Sequence, residues 1–167
     1  MITLAGLDLA GRDVLVVGGG PVATRRARDL LAAGALVHVV SPDVTSELAK
    51  AAEDGVLTWS RREVVRSDVE PAWFIQCCTG VAASDQAVAD WAAQQRTFCV
   101  IASNASLGTA RTVASSQVGD VRVGVLSTGT ARGAADPRRS AALRDQITAL
   151  LATGGSMVAT IDLLKRA

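Results

Sequence analysis

A glycine-rich segment near the start of the chain has the spacing of a dinucleotide-binding loop. Its motif is G-x-G-x-x-A, formed by Gly18, Gly19, Gly20, Pro21, Val22 and Ala23. A short apolar run precedes the motif and a helical pattern follows it, as such a loop requires. Gly18 permits the tight turn, Gly20 lets the backbone approach a pyrophosphate, and Ala23 lets the helix pack close to the strand. The N–H groups at the start of the helix would face the anion. A glycine-rich turn of another α/β protein is the less favoured interpretation.

The end of the second apolar run is where an acidic residue would bind the ribose. Ser41, Pro42 and Asp43 occupy that place. Asp43 could bind the ribose hydroxyls, although it lies two residues late. Three arginines, Arg25, Arg26 and Arg28, follow the loop. A contact with a 2′-phosphate and a solvated helix face are both open for them, and the solvated face is favoured.

The elements that position these residues alternate along the chain. Apolar runs at 14–17, 36–40, 57–59, 73–78 and 98–102 are separated by helical patterns at 21–33, 46–54 and 84–95, the last with Ser84 as a predicted N-cap. This order predicts an α/β fold, a Rossmann-like parallel sheet with helices on both faces. A further strand at 121–126 and a helix starting at Asp136-Pro137 follow. We expect a dinucleotide-binding domain at 1–112, and at 113–167 a short strand-and-helix extension used for dimerisation and substrate binding.

Composition excludes several classes of function. The 167 residues carry a net charge of +1, and aromatic residues make up 3%. We therefore expect neither nucleic acid nor a membrane as a partner. The cysteines Cys77, Cys78 and Cys99 are odd in number and lie in apolar runs, which predicts buried thiols. With His38 the only histidine, no structural metal site is expected. No signal peptide is recognised, so a cytoplasmic location is expected.

Further segments resemble those of a known family. The similarity covers roughly residues 5–150, and the matching segments are 6–9, 14–26, 33–35, 41–42, 72–73, 78–79, 96–100, 124–130 and 136–144. Together they resemble the N-terminal domain of siroheme synthase and the stand-alone precorrin-2 dehydrogenase–sirohydrochlorin ferrochelatase enzymes. Members of this family oxidise precorrin-2 to sirohydrochlorin with NAD, and many then insert ferrous iron.

The resemblance implies a set of site residues and partners. NAD would contact Pro21-Val22 and Pro42-Asp43, with Cys78 and Thr79 beside the nicotinamide. The substrate is a polycarboxylate, which arginine forks and hydroxyl donors suit. The candidate substrate-binding residues are Arg111, Ser127, Thr128, Gly129, Thr130, Arg138 and Arg139. The resemblance also implies a homodimer, a fused or partnered uroporphyrinogen methyltransferase, and Fe²⁺ or Co²⁺ as a substrate for chelation.

The sequence departs from the family where the family has a catalytic aspartate. Ser103 occupies that position, followed by Asn104, and Gly80 replaces a second acid. Neither Ser103 nor Asn104 accepts a proton at neutral pH as a carboxylate does; the nearest acid is Asp85. Three functions stay open: a dehydrogenase that uses water or another base, a chelatase without dehydrogenase activity, or a catalytically impaired domain that binds NAD or a tetrapyrrole. The family's C-terminal region is generally longer, so the chain is expected to be either short or truncated.

Overall fold

The computed structural model describes residues 2–129 and 136–152. The chain divides into two compact units, of which one is Leu4–Arg111 and the other contains the chain from Thr112 onward. Within the described ranges, no helix is both long enough and apolar enough to cross a membrane.

The first unit is a parallel sheet with helical connections. Its strands are β1 (Asp13–Val17), β2 (Leu36–Val40), β3 (Thr58–Ser60), β4 (Phe74–Cys77) and β5 (Phe98–Ile101), and its helices are α1 (Pro21–Ala32), α2 (Ser46–Glu53) and α3 (Ala82–Gln95), with a 3₁₀ turn at Arg66–Asp68. The strand order is β3-β2-β1-β4-β5, and every pairing is parallel. This arrangement confirms the Rossmann-like fold that the alternating pattern predicts.

The central strand β1 is buried on both faces, as its continuous apolar sequence requires. Val14 and Val16 belong to a core cluster with Ala23 and Ala27 of α1. Leu15 belongs to a second cluster, which contains Val88 and other residues of α3. Side chains of a strand alternate between its faces, so α1 and α3 cover opposite faces of the sheet.

The helix boundaries follow from local capping, with one correction. Thr45 is the N-cap of α2, where its hydroxyl accepts a hydrogen bond from the Leu48 N–H. The predicted N-cap of α3, Ser84, is wrong: the helix begins at Ala82 with Val81 as its N-cap, and Ser84 lies inside the first turn. The helix starts early because Thr79 already accepts a hydrogen bond from the Val81 N–H at 3.0 Å, which folds the chain into the helix at that point.

The second unit contains a hairpin and a helix. The hairpin strands β6 (Ala114–Val118) and β7 (Val121–Val125) pair antiparallel, and α4 spans Pro137–Ala152. The strand at 121–126 and the helix starting at Pro137 are confirmed, with the predicted Pro at the first helical position. Strand β6 was not predicted, because its sequence ASSQV is largely polar. The signal for it was the Gly119-Asp120 turn between the two strands.

Candidate functional site

The candidate site lies in the first unit, where the carboxyl ends of β1 and β4 meet. Connections from β1 run to β2 on one side, and β4 and β5 lie on the other side. Ligands of open parallel sheets bind in the crevice at such a switch in strand order. Residues that follow β1, β2, β4 and β5 are therefore the ones that can act together. The predicted cofactor residues follow β1, β2 and β4, and the predicted catalytic residues Ser103 and Asn104 follow β5.

The glycine-rich loop is in close backbone contact with its neighbours. Gly18 has φ +104°, and a Cβ there would lie 2.7 Å from the Cys78 carbonyl oxygen. A Cβ on Gly19 would lie 1.9 Å from the Asp43 carbonyl oxygen. A Cβ on Gly20 would meet no atom within 4 Å. Gly18 and Gly19 are therefore required by the protein itself, whereas the space at Gly20 is open to a ligand. The G-x-G-x-x-A motif places no requirement on the position of Gly19, so its role is evident only from the structure.

The N-terminus of α1 presents backbone donors beside this open space. Gly20 is the N-cap and Pro21 is at the start of the helix. The N–H of Thr24 donates to the Gly20 carbonyl at 3.0 Å, so the N–H groups of Val22 and Ala23 precede the first helical hydrogen bond. Ala23 is fully buried, which confirms that a small side chain lets the helix pack on the sheet. This geometry fits a pyrophosphate of a dinucleotide.

The loop after β2 is attached to the glycine-rich loop through its backbone. The Thr45 N–H donates to the Gly19 carbonyl at 2.9 Å. Ser41 is buried, and its hydroxyl donates to the Asp43 carbonyl at 2.7 Å. The Asp43 carboxylate points outward and lies 3.4 Å from the Arg61 guanidinium. Pro42 is exposed as well. Pro42 and Asp43 are therefore accessible beside the loop, and Ser41 shapes the turn.

The arginines after the loop differ from one another. Arg28 makes a bidentate pair with Glu47 at 2.7 and 2.9 Å. Arg26 is partly buried, and its Nε has no hydrogen-bond partner. Burial, followed by the nearby charge of Arg25, lowers the pKa of Arg26 from its ordinary value. Arg28 is thus engaged within the protein, and the interpretation of these residues as one solvated face holds only in part.

The ends of β4 and β5 meet at a buried carboxylate, Asp85. This residue lies in the first turn of α3 and is 1% exposed. Its Oδ1 accepts hydrogen bonds from the Thr79 hydroxyl at 2.5 Å and from the Cys77 thiol at 3.1 Å. Its Oδ2 accepts a short hydrogen bond from the Ser103 hydroxyl. The residue at the family's aspartate position therefore contacts an aspartate from another element.

The charge state of this cluster follows from its donors. Burial raises the pKa of Asp85, but hydrogen bonds from Ser103, Thr79 and Cys77 outweigh it and hold the pKa below the ordinary value. Burial also raises the pKa of Cys77 and, beside it, raises the pKa of Cys99 to about 12. At neutral pH the site therefore contains an ionised carboxylate and protonated thiols. The predicted burial of the cysteines is confirmed for Cys77 and Cys99, while Cys78 is half-buried.

Two further predicted residues are engaged in their own loops. The side-chain oxygen of Asn104 accepts hydrogen bonds from the Ser106 N–H and hydroxyl, at 3.0 and 2.6 Å. The Arg111 guanidinium donates to the carbonyls of Gly108 and Ala110, at 2.8 and 3.1 Å. Both side chains are occupied locally in this structure, and both lie in the first unit.

The other predicted substrate residues lie in the second unit. The Ser127 N–H donates to the Ser140 hydroxyl at 2.8 Å, and the Ser127 hydroxyl accepts from the Asp136 N–H at 3.1 Å. Asp136 also accepts from the N–H groups of Arg138 and Arg139, at 2.9 and 3.1 Å. The strand end and the start of α4 are thus brought together. Thr128, Arg138 and Arg139 are exposed, Gly129 has φ +80°, and Thr130 lies outside the described residues.

Metal ligands are not grouped in the part of the chain that the structure describes. In 2–129 and 136–152, no three His, Cys, Asp or Glu side chains come together in a way that could hold an ion. His38, in β2, is hydrogen-bonded to the Ser60 hydroxyl at 2.9 Å. Burial lowers its pKa from the ordinary value. This histidine lies within the sheet and takes no part in the candidate site.

Comparison with known proteins agrees with this architecture. Residues 5–114 match a family model described as "Putative NAD(P)-binding". A precorrin-2 dehydrogenase of Bacillus subtilis (strain 168) is 31% identical over 95% of this chain and 93% of its own length. A siroheme synthase of Xylella fastidiosa (strain M12) is 31% identical over 95% of this chain, which spans only 33% of that longer protein. The solved structure of SirC, a precorrin-2 dehydrogenase, superposes with a TM-score of 0.71 at 30% identity, covering 89% of this chain and 70% of SirC.

Proposed function

Since this chain belongs to the precorrin-2 dehydrogenase and siroheme synthase family, we propose that it oxidises precorrin-2 to sirohydrochlorin with NAD⁺ in siroheme biosynthesis. The observation that carries the proposal is the glycine-rich loop, whose third glycine faces open space at the start of α1. NAD⁺, when bound, supplies the hydride acceptor. The chain's own part is to bind and orient the two reactants and to receive the proton that the substrate loses.

Residues of the loops after β1, β2 and β4 are proposed to bind different parts of NAD⁺. Gly20 and the N–H groups of Val22 and Ala23 receive the pyrophosphate. Asp43 accepts hydrogen bonds from the ribose hydroxyls, and its negative charge disfavours a 2′-phosphate, so we propose NAD⁺ rather than NADP⁺. Cys78 and Thr79, at the end of β4, border the nicotinamide side. The partner arginine of Asp43, Arg61, is exposed and can move away when the ribose binds.

A polycarboxylate substrate needs several hydrogen-bond donors. Exposed arginines at the start of α4, Arg138 and Arg139, are proposed to bind carboxylates of the substrate, together with Ser127, Thr128 and Gly129. We also propose that the chain works as a homodimer and acts with a uroporphyrinogen methyltransferase, fused or separate. Light scattering of the purified protein tests the dimer, and a monomeric mass would reject it.

One observation favours a second candidate, a chain that binds NAD⁺ or a tetrapyrrole without oxidising it. Ser103 stands where the resemblance implies a catalytic aspartate, and losing a general base costs on the order of 10² to 10⁴ in rate. A chelatase that inserts Fe²⁺ or Co²⁺ into sirohydrochlorin is a variant of this candidate, since metal insertion needs no NAD⁺.

The deciding experiment supplies purified protein with precorrin-2 and NAD⁺, and follows sirohydrochlorin absorbance together with NADH formation. We expect both products to form in equal amounts. The matched control is Gly20→Val, which places a side chain in the open space and should reduce the rate at limiting NAD⁺. A rate equal to that without protein would reject the dehydrogenase. A separate incubation with sirohydrochlorin and Fe²⁺ or Co²⁺ tests chelation.

A further inference from the structure

We propose that Asp85, acting through the hydroxyl of Ser103, is the carboxylate that receives the proton released during the oxidation. The inference rests on the proposed function and names the base for it. Asp85 lies on α3 and Ser103 follows β5, and the two are joined by a short hydrogen bond. Ser103 is exposed while Asp85 is 1% exposed. The pair therefore connects the surface at the carboxyl edge of the sheet with a buried negative charge.

The burial of this carboxylate calls for an explanation. Its hydrogen-bond donors are two hydroxyls, a thiol and the backbone N–H of Thr79, and none of them carries a positive charge. Taking an ionised carboxylate out of water is costly unless it is paired with a cation or hydrogen-bonded throughout. The start of α3 and these four donors reduce that cost. Buried charges arranged in this way concentrate at functional sites.

The placement of Ser103 shows how the charge could be used. Oδ2 of Asp85 is engaged by Ser103, while Thr79 and Cys77 both donate to Oδ1. A serine hydroxyl that donates to a carboxylate keeps its own lone pairs free to accept a second proton. Ser103 is therefore the group that touches the reacting proton, and Asp85 is a positioning residue that acts through it.

The step balances as a proton relay. The substrate gives a hydride to bound NAD⁺ and a proton to Oγ of Ser103. The proton already on Ser103 moves to Oδ2 of Asp85, which becomes a neutral carboxylic acid. The same path in reverse returns that proton to water once the products leave. The net change is one NADH and one proton for each precorrin-2 oxidised.

The groups around Asp85 leave it as the acceptor. The titratable side chains that lie on its side of the sheet are Cys77 of β4 and Cys99 of β5, whereas Cys78 packs with the core cluster on the opposite side. Burial raises the pKa of each thiol, so all three are protonated and neutral where the carboxylate is ionised. The low pKa of Asp85 keeps it ionised at neutral pH, although it also makes the carboxylate a weaker base.

The test uses four variants of the full chain, assayed with precorrin-2 and NAD⁺. Asp85→Asn and Ser103→Ala should each lower kcat on the order of 100-fold, with KM and the Kd of NAD⁺ changed less than about threefold. The double variant Asp85→Asn with Ser103→Asp moves the carboxylate from position 85 to position 103, which is its hydrogen-bond partner in the wild type. It should recover at least about tenfold of the kcat lost in Asp85→Asn. The matched control, Asp90→Asn, makes the same change at an exposed position of α3, where the carboxylate accepts a hydrogen bond from Gln86, and should keep kcat within about threefold.

The outcomes separate the relay from a structural role. Wild-type kcat in Asp85→Asn would overturn the inference and leave the proposed function intact. An equal loss of kcat in Asp90→Asn, with no recovery in the double variant, would also overturn it, because the loss would then not be specific to the carboxylate of Asp85. If Asp85→Asn does not fold, Ser103→Ala and Ser103→Thr decide: loss in the first and retention in the second support the relay, and equal rates reject it. A wild-type chain that binds NAD⁺ without turnover overturns the proposed function and this inference with it.

Discussion

Gly19 and Gly20 are adjacent in the chain, yet replacing each by alanine should affect different properties. The change at Gly20 should weaken NAD⁺ binding, and the change at Gly19 should lower the stability of the protein. In Gly20→Ala the new methyl group meets no atom within 4 Å, and the backbone at φ −80° suits alanine. Alanine is a poorer N-cap than glycine but restricts the unfolded chain, so the free energy of unfolding should change by no more than about 0.5 kcal/mol. The methyl group occupies the space proposed for the pyrophosphate. We therefore expect the Kd of NAD⁺ to rise at least about tenfold, which is roughly 1.4 kcal/mol.

Gly19→Ala acts on the protein before any ligand binds. Its Cβ would lie 1.9 Å from the Asp43 carbonyl oxygen and 2.8 Å from the Val44 Cα, so the loop after β2 must move. That movement also breaks the hydrogen bond between the Thr45 N–H and the Gly19 carbonyl. Overpacking and the lost hydrogen bond together should cost roughly 2–4 kcal/mol. In a chain of 167 residues, the melting temperature should fall by roughly 2–4 °C for each kcal/mol.

Thermal melting and calorimetric titration with NAD⁺ measure the two effects on the same samples. Gly6→Ala is the matched control, because a Cβ there also meets no atom within 4 Å and the residue precedes β1, whereas the glycine-rich loop follows it. It should change neither stability nor affinity. If Gly20→Ala binds NAD⁺ as the wild type does, the pyrophosphate does not lie against Gly20 and the glycine-rich segment is only a turn.

Three further predictions concern stability and are checked by chemical denaturation. Leu15→Ala should lower the free energy of unfolding by roughly 2–5 kcal/mol, because Leu15 is 1% exposed at the centre of the sheet; a loss under 1 kcal/mol would contradict the packing described. Thr45→Ala should lower the free energy of unfolding by about 1 kcal/mol, since Thr45 caps α2 and is hydrogen-bonded to Thr24 at 2.8 Å. Thr45→Ser keeps the hydroxyl and should therefore keep most of that stability. Hydrogen bonds from Arg62 hold the pKa of Asp68 below its ordinary value, so its stabilising contribution is complete above that value and is lost as the pH falls through the lower folded pKa. The difference in unfolding free energy between wild type and Asp68→Asn should therefore be about 1–3 kcal/mol at neutral pH and should shrink as the pH falls below the ordinary pKa of an aspartate. A difference that grows in acid would refute the sign.

The sheet could be predicted from the sequence because its strands are short apolar runs separated by helical patterns. The runs at 14–17, 36–40 and 98–102 all became buried parallel strands. The polar strand β6 could not be recognised in this way, since a hairpin strand with half-exposed serines has no continuous apolar signal. The start of α3 was misplaced because a serine at a plausible capping position competed with a turn formed by Thr79, outside the helix.

The candidate site could be predicted where its geometry is local. The glycine-rich loop is one continuous motif, and its neighbouring strand and helix were evident from the sequence. The contact between Asp85 and Ser103 joins residues on two different elements, so spacing along the chain carries no sign of it. The role of Gly19 is of the same kind, because the atom that excludes a side chain there belongs to Asp43 in another loop.

The loops at the carboxyl edge of the sheet are joined mainly by backbone hydrogen bonds. Besides the bond between Thr45 and Gly19, the Cys78 N–H donates to the Val17 carbonyl at 2.7 Å, and the Ala102 N–H donates to the Cys77 carbonyl at 2.9 Å. Backbone bonds of this kind do not depend on the side chain at the position. Exposed side chains such as those of Pro42 and Asp43 can therefore be exchanged during evolution or by design while the backbone of these loops keeps its conformation. This makes the edge a place where cofactor preference can change without refolding the domain.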